Sequence, residues 1–74
     1  MAIVRRLVHE PLGKDARHTE VDCTYSIVTD KGDKYLQIDT YGSAERKIPG
    51  KKSQSIRFGP EAISQLKVLL AEQF

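Results

Sequence analysis

Apolar and polar residues alternate along two stretches in the middle of the chain. In residues 20–29, Val21, Cys23, Tyr25 and Ile27 fall on one side and Asp22, Thr24 and Ser26 on the other. In residues 34–41, Leu36, Ile38 and Thr40 oppose Tyr35, Gln37, Asp39 and Tyr41. A period of two is that of a half-buried β-strand. Asp30-Lys31-Gly32-Asp33 lies between them, and Gly32 suits the positive backbone angle of a tight turn, so the two stretches predict a hairpin. A third alternation, with Ile56 and Phe58 against Ser55 and Arg57, predicts a strand over 53–58. Residues 2–8 are apolar apart from Arg5 and Arg6 and read as a further strand, broken at Pro11 and Gly13. Residues 12–19 have no period and read as a loop.

After Phe58 the period changes. Gly59-Pro60-Glu61 is a helix start, because proline at the first helical position lacks no needed donor and Glu61 meets the positive end of the helix dipole. Ile63, Leu66, Leu69 and Leu70 then recur at steps of three and four, with Ala62 and Phe74 extending the stripe, which predicts an amphipathic helix of about three to four turns. The order ββββα predicts an α+β fold, an antiparallel sheet with one covering C-terminal helix, in a single domain spanning residues 1–74. One helix covers only part of one sheet face. The remainder must be solvated, bound to a ligand or paired with another subunit.

Length sharpens that last point. A core built from 74 residues buries only about 60% of the unfolded chain's surface. The single cysteine, Cys23, excludes an internal disulfide, and its place in the alternation predicts a small buried thiol; Tyr25, on the same side, is expected in the core. His9 and His18 lie in a loop with Glu10 and Asp15, where nothing makes the ligands of a metal site converge, so they are expected to face solvent and no cofactor is expected. Self-association is the remaining common source of stability, and a homodimer is expected. No apolar run approaches the ~20 residues that span a bilayer and no secretory leader is recognisable, which predicts a cytoplasmic protein with no membrane partner.

Charge adds the candidate chemistry. The chain carries 12 Lys and Arg against 10 Asp and Glu, a net +2. The positive side chains are not evenly spread. Arg46, Lys47, Lys51, Lys52 and Arg57 fall in a stretch with no acid between Glu45 and Glu61, so a polyanion is the natural partner of this loop and strand. Tyr35 and Tyr41 share one side of their strand and suit the stacking of unpaired bases, worth about 1–3 kcal/mol per base. Asp39 and Gln37 share that side, and the acid there opposes phosphate unless it pairs with Arg57 or Lys34. No nucleophile elbow, glycine-rich phosphate loop or paired-carboxylate pattern is present, so no enzymatic activity or small-molecule substrate is expected.

Pro49-Gly50-Lys51-Lys52, Ile56, Pro60-Glu61 and Gln65-Leu66-Lys67, taken in this order, resemble the C-terminal domain of the transcriptional coactivator positive cofactor four. The resemblance covers about the last thirty residues closely and the preceding hairpin as a pattern. It implies a curved four-stranded antiparallel sheet followed by a C-terminal helix, dimers, and binding of single-stranded nucleic acid across the sheets, with a part in transcription regulation or DNA metabolism. Binding with little sequence preference is expected, by Arg46, Lys47, Lys51, Lys52 and Arg57 on phosphates and by Tyr35 and Tyr41 on bases. The alternative is a structural or protein-interaction domain that presents Gln37, Asp39 and the tyrosines to another protein.

Overall fold

The computed structural model of the chain describes residues 2–41 and 52–74, the side chains of residues 52 and 53 excepted. Four strands, β1 (Ala2–Val4), β2 (Cys23–Asp30), β3 (Asp33–Tyr41) and β4 (Lys52–Phe58), precede one helix, α1 (Pro60–Gln73). The strands form one sheet in the order β1-β4-β3-β2. β2 and β3 are antiparallel, as are β3 and β4, whereas β1 runs parallel to β4. The expected curved, fully antiparallel sheet is therefore corrected to a mixed one, while the α+β order ββββα stands. The reason lies in connection length. Residues 5–22 separate β1 from β2, enough chain to reach from one edge of the sheet to the other, so β1 is free to pair with β4 instead of its sequence neighbour. The Gly59 N–H donates to the Val4 carbonyl at 2.9 Å and carries that pairing one rung past the end of β4.

The β2–β3 hairpin closes with Asp30 opposite Asp33 around Lys31 and Gly32. Both loop residues have positive φ, 51° and 83°. This is the signature of a type I′ turn, whose twist matches that of the strands it joins. Gly32 takes up the conformation at no steric cost, but Lys31 does not. Lys31→Asn is expected to raise stability by about 0.5 kcal/mol, since asparagine tolerates the left-handed region; an unchanged or lower urea midpoint would count against this turn geometry.

Register divides the sheet into two faces. Leu36, Ile38, Ile56, Phe58, Cys23, Tyr25 and Ile27 belong to an apolar face, with Ala2 and Val4 of β1 beside Ile56 and Phe58. Tyr35, Gln37, Asp39, Ser55 and Arg57 belong to the opposite, polar face, with Thr24 and Ser26 beside Asp39 and Gln37. The alternation read from the sequence thus places these residues on the expected sides. Their burial differs from expectation. Cys23 is exposed, and Tyr25 and Ile27 are 74% and 69% exposed, so a buried thiol at Cys23 and a core position for Tyr25 are both corrected. β2 is an edge strand and α1 packs mainly against β3, and the outer part of the apolar face, at Cys23, Tyr25 and Ile27, is exposed.

α1 begins with Gly59 as N-cap, Pro60 in the first turn and Glu61 beside it, and no side chain caps its first N–H groups. Gly59 is buried because the chain turns tightly here: a methyl group on it would lie 3.5 Å from the Val4 carbonyl oxygen and 3.8 Å from Tyr35 Cε2. Ala62, fully buried, marks where the helix meets the rest of the chain, and Ile63 and Leu66 are half-buried. Leu69, Leu70 and Phe74 of the same stripe are exposed. Gln65 fixes the segment after β1: its Nε2 donates to the Leu7 carbonyl at 3.0 Å and its Oε1 accepts from the Leu7 N–H at 2.8 Å. The side-chain amide thereby stands in for a neighbouring strand, although β1 itself ends at Val4 and not, as the apolar run suggested, at Val8.

Candidate nucleic-acid interface

Two bonding groups of the polar face sit on neighbouring strands. Gln37 stands opposite Arg57, and Asp39 opposite Ser55. Arg57 Nε and Nη2 donate to Gln37 Oε1 at 3.0 and 2.6 Å. Gln37 Nε2 donates in turn to both carboxylate oxygens of Asp39, at 3.0 and 3.3 Å. Ser55 Oγ donates to Asp39 Oδ1 at 2.6 Å, short enough for a charge-assisted bond. Hydrogen bonds thus link Arg57, Gln37, Asp39 and Ser55 in one ladder across β3 and β4.

Burial changes what this face presents to a ligand. Asp39 is only 2% exposed. A carboxylate taken out of water must be supplied with donors, and the amide of Gln37 and the hydroxyl of Ser55 do so. The acid that opposed a phosphate ligand in the sequence is therefore not displayed. The expected cross-strand pairing of Asp39 with Arg57 does not form: Arg57 Nε and Nη2 bond the neutral amide of Gln37 instead. The guanidinium charge is held on the face without a carboxylate against it among the described residues.

The two tyrosines flank the ladder. Tyr35, half-buried, lies at the junction of β4 and α1, where its ring approaches Gly59. Tyr41, also half-buried, shares a hydrogen bond of 2.9 Å with the Thr24 hydroxyl of β2. It sits where the β3–β4 register shifts, between Thr40 and Tyr41, and Lys52 is its register partner. Such irregularities re-aim side chains at the margins of sheets. Lys52, the first residue of β4, is paired with Tyr41 in the sheet. Arg46, Lys47 and Lys51 lie outside the described residues, and Lys52 is described only as the first residue of β4. Of the predicted contacts, the fold brings Tyr35, Tyr41 and Arg57 onto one face and Lys52 to the edge of that group.

Gln37 and Ser55 are parts of this arrangement that charge and aromatic content do not single out. Their roles depend on which β4 residue stands opposite which β3 residue, and a bulge after a long connection hides that register from a reading of the sequence. Among the described residues no group of three or more His, Cys, Asp and Glu side chains gathers as for a metal ion, and no helix is long and apolar enough to cross a membrane. No protein-family model, curated protein or solved structure matches this chain.

Proposed function

We propose that this chain is a binding module for single-stranded nucleic acid with little sequence preference, that it works as a homodimer, and that it carries out no catalysis. The observation that supports this reading best is the state of the polar face. Its acid, Asp39, is sequestered, while Arg57 and two half-buried tyrosines belong to that face and β4 begins at Lys52 beside Tyr41. Phosphates would be met by Arg46, Lys47, Lys51, Lys52 and Arg57, and bases by Tyr35 and Tyr41. Charge and stacking read the backbone and any base face, so affinity would vary little with sequence. A role in transcription regulation or DNA metabolism belongs to the same proposal and rests on the resemblance to positive cofactor four.

The second copy has its own support. The chain exposes 6824 Å². A folded monomer of 8.3 kDa is expected to expose about 4,600 Å². Its radius of gyration is 14.5 Å, against about 11 Å for a compact domain of this length. Part of the surplus belongs to residues 8–22, all exposed, and part to apolar side chains of β2 and α1. A stable interface covers about 800 Å² on each partner, well within that surplus. The apolar face of the sheet, with Tyr25 and Ile27, and the exposed residues of α1 are the surfaces a second copy would cover.

Fluorescence anisotropy of a labelled mixed-sequence oligonucleotide at low salt tests the reading, with the same sequence as a duplex for comparison. Tighter binding of the single strand is expected. Absence of binding to the single strand at low salt would overturn the proposal, and a clear preference for the duplex would overturn its single-strand part.

A further inference from the structure

The orientation of Arg57 is chemically determined from both ends of its partner. A carboxylate accepts and never donates, so the Gln37 nitrogen must face Asp39; the Gln37 oxygen must then face a donor, and Arg57 supplies two. Asp39 is itself buried and braced by Ser55, so the amide has one arrangement that satisfies both neighbours. A guanidinium has five N–H groups, of which two are spent here: Nε and one on Nη2. Nη1 bonds no other residue, and no buried side-chain nitrogen or oxygen among the described residues lacks a partner, so Nη1 is reached by solvent. The edge formed by Nη1 and the free side of Nη2 is therefore held in place and open.

We infer that Arg57 is a pre-set clamp for a phosphodiester oxygen pair, and that Gln37, anchored on Asp39, is the positioning residue that holds the open edge of its guanidinium toward the strand. The inference rests on the nucleic-acid reading above and assigns to that site a fixed phosphate contact, in which a planar fork does what a lysine's point charge cannot. Holding the side chain before the ligand arrives removes the ordering cost that a free arginine would bear on binding.

The test is a double-mutant cycle on single-strand affinity, measured by anisotropy at fixed salt for the full chain. Arg57→Lys keeps the charge but cannot offer the fork, and Gln37→Met keeps the volume but releases the guanidinium. Each is expected to weaken binding about two- to tenfold, the scale of immobilising one flexible side chain. The salt dependence should be unchanged, because no charge is lost. In the Arg57→Lys background, Gln37→Met is expected to have no further effect; a merely structural role for Gln37 would give the same loss in either background. Should Gln37→Met fail to fold, Gln37→Asn replaces it, since it keeps an amide donor for Asp39 while its shorter side chain withdraws the acceptor from Arg57. Wild-type affinity in Arg57→Lys, or additive losses in the cycle, would overturn the clamp and leave the binding reading intact. A wild-type chain that binds no oligonucleotide would overturn both.

Discussion

Ile27→Glu is expected to raise the dissociation constant of the homodimer by more than about 100-fold, because each copy would bury an unpaired charge at a cost of about 3–5 kcal/mol. The force of this prediction comes from the single chain. Ile27 is 69% exposed there, so the substitution should hardly disturb the chain's own packing. A large loss of self-association is then attributable to the second copy and not to unfolding. Sedimentation equilibrium reads the constant directly, and the thermal midpoint of the wild type should rise with protein concentration, as it does when association and folding are linked. A wild-type chain that remains monomeric, or an Ile27→Glu variant that associates as well as the wild type, would remove the apolar face from the account.

The second large effect concerns the basic stretch. Lys51→Ala combined with Lys52→Ala is expected to weaken binding of single-stranded oligonucleotides by about 10–30-fold near 0.1 M salt, by about the same factor for every sequence, as the loss of two phosphate contacts requires. Stability should change by less than about 0.5 kcal/mol, as for other surface substitutions. The two readouts separate the possible causes. A fall in affinity with an unchanged urea midpoint assigns the lysines to the ligand. A loss that depends strongly on base sequence would mean that they read base edges, against the proposed mode.

The reach of the sequence follows from the range of the forces involved. The β2–β3 hairpin is legible because its signals are local: alternation on both sides and Gly32 between them, with the positive φ of Lys31 as the one detail left out. The helix start at Gly59-Pro60-Glu61 is legible for the same reason. The place of β1 is not, since pairing with β4 instead of β2 depends on the route of residues 5–22, of which 12–19 show no period. Burial at Cys23 and Tyr25 is illegible for a related reason. Alternation assigns a side of the sheet but does not say whether anything lies over it, and α1 packs mainly against β3.

The site divides in the same way. The acid-free run between Glu45 and Glu61 singles out Arg57 and the cations before it, and the period of two puts Tyr35 and Tyr41 on one side of their strand. The role of Asp39 reverses once its surroundings are known: an acid that argues against phosphate in the sequence becomes, when 2% exposed and bonded to Gln37 and Ser55, the anchor of the ladder that holds Arg57. That change rests on two cross-strand pairs, Gln37 with Arg57 and Asp39 with Ser55, which only the three-dimensional register supplies.

Salt dependence bears most directly on the central claim, that side chains of Arg46, Lys47, Lys51, Lys52 and Arg57 together neutralise a strand's phosphates. For a single strand, the slope of log affinity against log salt is about −0.7 for each phosphate neutralised. Five contacts predict a slope near −3.5 for a strand held by one copy of the dimer, a loss of about 100-fold for a fourfold rise in salt, and a steeper slope for a strand that spans both copies. A slope close to zero, or no binding at the lowest salt, would contradict the account.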